Sequence, residues 1–196
     1  MSGDHEELPA AARARQLEDQ IIAAGLTTDA ELDEILAARY RTGSPANGAR
    51  MVARAWADPG FRDRLLADGN AAAAEAGFGA IGDGYGYRLM AVENTAQQHN
   101  VIVCTLCSCY PTSLLGPSPS WYKSFAYRSR TVREPRAVLA EFGLELPDET
   151  EILVWDSSAE TRYLVVPARP ACSAGLDEDA LALLVTRDGM IGTAAF

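Results

Sequence analysis

Cys104, Cys107 and Cys109 fall within six residues in the order Cys-x-x-Cys-x-Cys, while the fourth cysteine, Cys172, is far along the chain. Thiolates at this spacing can converge on one metal ion. The backbone can join them at Cys107-Ser108-Cys109. The Cys107 sulfur and the Ser108 amide nitrogen close a six-membered ring through a metal. The Ser108 and Cys109 nitrogens close a five-membered ring, and so do the Cys109 nitrogen and its own sulfur. These rings favour a planar set of two sulfurs and two nitrogens, with Cys104 approaching from below and a sixth position left open. Deprotonated backbone amides require a strongly acidic metal centre, so trivalent low-spin cobalt or iron fits better than tetrahedral zinc. The candidate ligands are therefore Cys104, Cys107, Ser108 and Cys109.

At the level of spacing, three other readings stay open. A structural zinc site needs a fourth good ligand, and Cys172 and His99 are the candidates, neither in a zinc-type pair. An iron–sulfur cluster lacks one cysteine unless Cys172 folds back. A redox disulfide between Cys104 and Cys107 lacks thioredoxin-like surroundings.

The elements that must position this cluster can be read from periodicity and punctuation. Val101-Ile102-Val103 is a β-branched run that leads into Cys104, so the thiols sit where a strand ends and a loop begins. An alternating stretch over 87–92 predicts the preceding strand. Upstream the chain reads as helical. Residues 10–24 have few breakers and stop at Gly25. Thr28 and Glu31 form a capping box for a helix running to about residue 40. Asn47 is placed to cap a helix that Asp58-Pro59 divides. The Gly-rich stretch up to residue 86 is a weak phosphate-loop signal, because no Lys-Ser/Thr pair follows it. Downstream, 121–127 predicts a short helix, Glu134-Pro135 starts another that Gly143 stops, 151–155 and 163–166 predict strands, and Asp177 caps a last helix. The expected fold is α+β or layered α/β: a helical N-terminal arm over 1–45, then an α/β metal-binding catalytic body over 46–196.

Bulk properties narrow the function. The chain has 196 residues, 48% of them hydrophobic, and a formal net charge of −10. That charge disfavours nucleic-acid and anionic-membrane partners. No apolar run approaches the roughly 20 residues that span a bilayer. The N-terminus is acidic and polar, unlike a secretory signal, so a cytoplasmic location is expected, where clustered thiols indicate metal or redox chemistry. Of the 17 basic residues, Lys123 is the lone lysine.

The cysteine loop resembles the metal-binding motif of the nitrile hydratase alpha subunit. The likeness extends over 45–68, 92–95, 103–110, 121–124, 127–130, 133–143, 154–163 and 185–192, and in all covers about residues 8–192. The gamma subunit of thiocyanate hydrolase shares the loop. The resemblance implies thiolate ligands from Cys104, Cys107 and Cys109 and amide-nitrogen ligands from Ser108 and Cys109. It implies oxidation of Cys107 to the sulfinate and Cys109 to the sulfenate, which makes these two the catalytic residues. Thr105 is similar to the cobalt type, so Co(III) is implied ahead of Fe(III). The implied reaction is hydration of a nitrile to its amide. Three thiolates and two amidates around a trivalent ion leave a formal charge near −2, which needs cations close by. In the family these come from a beta-type subunit, so this chain is expected to be one half of an enzyme, with room for a third, gamma subunit, and the arm is expected to wrap the partner.

One stretch departs from the family. After Cys109-Tyr110-Pro111 the common cobalt-type sequence resembles Trp-Pro-Val-Leu-Gly-Leu-Pro-Pro; here 112–119 read Thr-Ser-Leu-Leu-Gly-Pro-Ser-Pro. Replacing Trp by Thr112 removes an apolar wall beside the metal. Thr112, Ser113 and Leu114 are expected to line a wider, more polar pocket for a bulky, heteroaromatic or nucleoside nitrile, as in the toyocamycin nitrile hydratase branch of the family. Gln97, Tyr122, Lys123 and Arg128 are expected to support the loop, and Glu93 could hydrogen-bond in the same shell. His99 reads as structural, Cys172 has no catalytic role, and the pair Asp156 and Glu160 reads as surface charge. Two alternatives remain: a thiocyanate hydrolase gamma-like subunit, and a non-catalytic zinc- or metal-binding protein.

Overall fold

The computed structural model describes residues 4–41, 43–78 and 87–195, so the expected Gly-rich loop at 79–86 lies outside the described residues. The chain divides into two compact units, Met1–Arg41 and Thr42–Phe196. The first holds α1 (Asp4–Ala23) and α2 (Asp29–Arg41). Gly25 ends α1 at φ 66°, and its N–H donates to the Ile22 carbonyl. The capping box forms at α2: the Glu31 N–H donates to Thr28 Oγ1 at 3.2 Å and the Thr28 N–H to Glu31 Oε2 at 2.9 Å.

The second unit is α+β. Helices α3 (Pro45–Ala57), α4 (Pro59–Ala67) and α5 (Gly69–Glu75) follow one another closely. Ser44, not Asn47, caps α3, its hydroxyl accepting from Ala46 N–H. Pro45 explains the shift: its fixed φ suits the first helical position and lacks the N–H that the helix leaves unpaired there. Asp58 closes α3 and caps α4 through Gly60 N–H at 2.8 Å, so Asp58-Pro59 does divide the helical run.

Strands β1 (Arg88–Glu93) and β4 (Thr161–Val166) pair in parallel, as do β2 (Gln98–Val103) and β3 (Glu151–Asp156). A short turn at 94–97 joins the end of β1 to the start of β2, and another at 157–160 joins the end of β3 to the start of β4. The beginnings of β1 and β4 therefore share one edge with the ends of β2 and β3. Register makes this concrete, with Val103 opposite Asp156 and Leu89 opposite Arg162. The cysteine loop leaves from that edge, in keeping with the tendency of parallel pairs to build sites outside strand ends.

Beyond the cysteines lie α6 (Thr112–Leu115), a 3-10 turn (Ser120–Lys123), α7 (Phe125–Thr131) and α8 (Pro135–Glu141). The single helix expected over 121–127 is split at Ser124, whose hydroxyl accepts from Tyr127 N–H and caps α7. Gly143 ends α8 at φ 84°. Helices α9 (Glu178–Leu184), capped by Asp177, and α10 (Arg187–Ile191) complete the unit.

Met51, Val52, Phe61 and Leu65 of α3 and α4 pack against Leu89 and Leu164 of the strands. His99 is buried and structural. Its Nε2 lies 2.7 Å from the Gly192 carbonyl and its Nδ1 3.2 Å from the Asn94 amide, which fixes a neutral ring donating from Nε2. Burial lowers its pKa, partly offset by the Gly192 contact. Gly192 is at φ 90°, and a Cβ there would stand 2.0 Å from the Asn100 carbonyl oxygen. Among the described residues no helix is long and apolar enough to cross a membrane.

Candidate metal centre

The sulfurs of Cys104, Cys107 and Cys109 lie within 4.8 Å of one another. Cys107 Sγ is 3.4 Å from Cys104 Sγ and 3.0 Å from Cys109 Sγ, and all are free thiols. Strand β2 delivers Cys104 into the core, where it is fully buried, and the chain then turns outward so that Cys107 is exposed. The Cys107 N–H points back at Cys104 Sγ, at 3.4 Å.

The electrostatics are those of a prepared donor set. Hydrogen bonding from Cys109 chiefly, then from Cys104 and from the backbone N–H groups of Ser108 and Cys109, brings the Cys107 thiol down to about 7. Burial chiefly, and the adjoining Cys107, push Cys109 up to about 12, against the opposing charge of Arg162. Cys107 is thus the more acidic of the two. The Ser108 and Cys109 amides lie close enough to the Cys107 sulfur to lower its pKa. The same two nitrogens close the chelate rings required by a planar N₂S₂ set, so the residues present fit a trivalent ion. A zinc site would need a fourth donor, and among the described residues no fourth Cys, His, Asp or Glu joins the group.

The loop is held from behind. Arg128 of α7 donates from Nε to the Cys104 carbonyl at 3.1 Å and from Nη2 to the Thr105 carbonyl at 2.9 Å. Asp156, at the end of β3, accepts from Thr105 N–H at 2.9 Å and from Thr105 Oγ1 at 2.6 Å. Tyr122 donates to the Cys109 carbonyl at 2.9 Å, and Tyr127 to the Ile102 carbonyl at 2.6 Å. Both phenols are buried, which pushes their pKa values upward and keeps them as donors. Tyr122 also packs edge-on to Tyr110, the rings 5.3 Å apart.

The expected supporting residues divide. Tyr122 and Arg128 touch the loop. Lys123 is exposed at the end of the 3-10 turn and makes no hydrogen bond or ion pair among the described residues. Gln97 is exposed in the turn before β2. A strand of six residues, roughly 20 Å long, carries it away from the cysteines. Glu93, at the same far end, stands 3.6 Å from Arg62. Of the expected pocket residues, Thr112 and Ser113 are half-buried, but Leu114 is fully buried in the core. The reason is helical: α6 turns Leu114 and Leu115 inward, leaving Thr112 and Ser113 on the other side.

Three residues beside the loop carry more than the sequence suggested. Asp156 is a clamp for Thr105 and not mere surface charge. Arg162 is a cation felt at Cys109, and its guanidinium lies 5.0 Å from the centre of the Tyr87 ring. Tyr87 in turn is hydrogen-bonded to the Ser113 hydroxyl. Each depends on parallel strand register, and the only local hint is that Asp156 and Arg162 flank a turn between two strands. A groove of about 630 Å³ lies elsewhere, between α8 and β3. At the cysteines the chain presents an open surface, with Leu106 86% exposed.

Known proteins resemble this chain over most of its length. The family model for the nitrile hydratase alpha chain matches residues 8–194. The cobalt-containing nitrile hydratase subunit alpha of Pseudonocardia thermophila is 49% identical over 182 residues, 92% of this chain and 88% of that protein. The thiocyanate hydrolase subunit gamma of Thiobacillus thioparus is 48% identical over 160 residues, 76% of this chain and 65% of that protein. Among solved structures, a double mutant of the Fe-type nitrile hydratase from Comamonas testosteroni Ni1 superposes with a TM-score of 0.85 at 39% identity, covering 100% of this chain and 92% of that one. The chain belongs to the nitrile hydratase alpha-chain family, a family of hydro-lyase subunits.

Proposed function

We propose that this chain is the metal-binding catalytic subunit of a cobalt nitrile hydratase, which adds water across a C≡N bond to give the amide. The observation that carries the reading is the convergence of the three sulfurs of Cys104, Cys107 and Cys109 within 4.8 Å of one another. Cys104, Cys107 and Cys109 would hold the ion through sulfur, and Ser108 and Cys109 through their amide nitrogens. When bound, a trivalent cobalt supplies Lewis acidity toward water or the nitrile nitrogen.

The chain's own residues do the rest. Cys107 would serve as the sulfinate and Cys109 as the sulfenate, whose oxygen would act as base toward water or nucleophile toward the nitrile carbon. Arg128, Asp156 and Tyr122 fix the backbone that carries these groups, so no reorganisation is needed as charge develops. The exposed face of the loop is where a beta-type subunit would dock, adding cations and closing the pocket, with a third, gamma subunit as a further component. The chain would work in the cytoplasm. Thr112 in place of a Trp supports a bulky substrate, a heteroaromatic or nucleoside nitrile such as toyocamycin.

Metal analysis with mass spectrometry of the cysteine peptide tests the centre. Cobalt with two oxygens on Cys107 and one on Cys109 is expected; zinc with unmodified thiols would refute it. Rates on a small aliphatic nitrile and on a cyano-substituted nucleoside test the substrate, and a clear preference for the small one sinks the wide-pocket reading. The likeness to thiocyanate hydrolase gamma favours one other reading, which thiocyanate consumption by the assembled enzyme would decide.

A further inference from the structure

Arg162, Tyr87 and Ser113 form a connected polar row beside the cysteine loop that no ligand role explains. Parallel register between β1 and β4 sets Arg162 next to the residue preceding β1, so the guanidinium lies 5.0 Å from the centre of the Tyr87 ring. Tyr87 is buried, and its hydroxyl is hydrogen-bonded to Ser113 Oγ. Ser113 is half-buried on α6, beside Thr112 and four residues past Cys109. The guanidinium is within cation–π range of the ring and holds it in place. Either hydroxyl can donate in the contact between Tyr87 and Ser113, and the one that accepts keeps its own proton for another partner. Ser113 shares the half-exposed side of α6 with Thr112.

We propose that Tyr87 is the donor in its pair with Ser113 and that Ser113 is thereby a specificity-determining residue, donating a hydrogen bond to an acceptor on the substrate remote from the nitrile, with Tyr87 and Arg162 as positioning residues. The substrate class is a nitrile carrying a hydrogen-bond acceptor, such as a ring nitrogen, a few bonds from the reacting carbon. This rests on the nitrile hydratase reading and sharpens it: Thr112 makes room, and Ser113 says what should occupy the room.

The test uses 3-cyanopyridine and benzonitrile, which have nearly the same size and differ in one ring nitrogen. The enzyme is the cobalt-loaded complex with its beta-type partner. The wild type is expected to favour 3-cyanopyridine, and S113A to lower the kcat/KM ratio of the pair about three- to tenfold, mostly through KM, as loss of one neutral hydrogen bond implies. S113T, which keeps a hydroxyl, should restore part of the ratio. Y87F and R162Q should move the ratio the same way, with R162K between. Calorimetric binding of the products, nicotinamide against benzamide, gives a second readout that does not depend on turnover: S113A should weaken nicotinamide alone. A ratio untouched by S113A, with both aryl nitriles hydrated, overturns this proposal and leaves the proposed function standing. Failure to hydrate any nitrile, in a complex shown to hold cobalt, overturns the function and this proposal with it.

Discussion

The Asp156 carboxylate holds Thr105 at two points, Oδ1 accepting from the backbone N–H at 2.9 Å and Oδ2 from the side-chain hydroxyl at 2.6 Å. Thr105 is the first residue of the loop after the buried Cys104, so this pair sets the angle at which the chain turns toward Cys107. From the other side, Arg128 grips the carbonyls of Cys104 and Thr105. The turn is thus clamped through both its donors and its acceptors before any ion is considered.

Removing the clamp should loosen the donor set more than the fold. Asp156 is exposed, so D156A should cost only about 1–2 kcal/mol of stability, the scale of hydrogen bonds to a charged group. Cobalt content per chain, measured after expression in cobalt-supplemented medium, should fall several-fold. T105V, which removes one of the two bonds, should fall between. R128K should lose cobalt as well, because an ammonium cannot reproduce the guanidinium fork that reaches two carbonyls. Full cobalt content in D156A and R128K together would show that the loop organises itself without them.

The metal-free, reduced chain should be alkylated first at Cys107. Its thiol titrates at about 7, held down by hydrogen bonds chiefly from Cys109, whereas Cys109 is pushed up to about 12 chiefly by burial. A lowered pKa means more thiolate at neutral pH and faster reaction with iodoacetamide. Peptide mass spectrometry across pH 5–9 should show Cys107 modification rising to half its maximum near pH 7, with Cys109 trailing at every pH. The cysteine order reversed would contradict the greater acidity of Cys107.

Acid should weaken the fold through His99. Its pKa is lowered by burial from the ordinary value of 6.5, so the unfolded chain binds a proton that the folded chain resists. Stability therefore rises with pH between the folded value and 6.5, and is lost as pH falls below 6.5. Denaturant midpoints for the wild type and H99Q, measured from pH 7.5 to 4.5, should show a steeper acid loss for the wild type. Parallel curves would remove His99 as the cause.

What was legible in the sequence was what is local. The Thr28 and Glu31 capping box, the break at Asp58-Pro59 and the Cys104, Cys107, Cys109 spacing each involve residues a few positions apart, so short-range geometry determines them. The misreadings come from longer range or from direction. Asp156 looked like surface charge because its partner Thr105 is 51 positions away and is reached through β2–β3 pairing. Gln97 looked close to the cysteines in sequence, but an extended strand puts distance between them where a helix would not. Leu114 directly follows Thr112 and Ser113 in the chain, whereas α6 turns it into the core. Tyr87 and Arg162 carried no signal alone, and only parallel register brings them together beside Ser113.

Thr112 and Leu114 differ by two positions and should behave oppositely when changed. Thr112 is half-buried on the outer side of α6, with its hydroxyl 3.2 Å from the Tyr110 carbonyl. T112W should restore an apolar wall close to Cys109 at little cost to stability, since the side chain can extend toward the open face. Activity on a cyano-substituted nucleoside should then fall about tenfold or more, while that on a small aliphatic nitrile holds or improves, because a filled pocket discriminates by shape. Leu114 is wholly buried, so L114A should open a cavity and cost about 2–5 kcal/mol. It should leave the ratio between the two substrates near the wild-type value, since the cavity opens into the core and not the pocket. Thermal midpoints and the two kcat/KM values, measured for both variants in the assembled enzyme, separate these roles. A substrate ratio that shifts in L114A and holds in T112W would mean that the pocket lies on the inner side of α6.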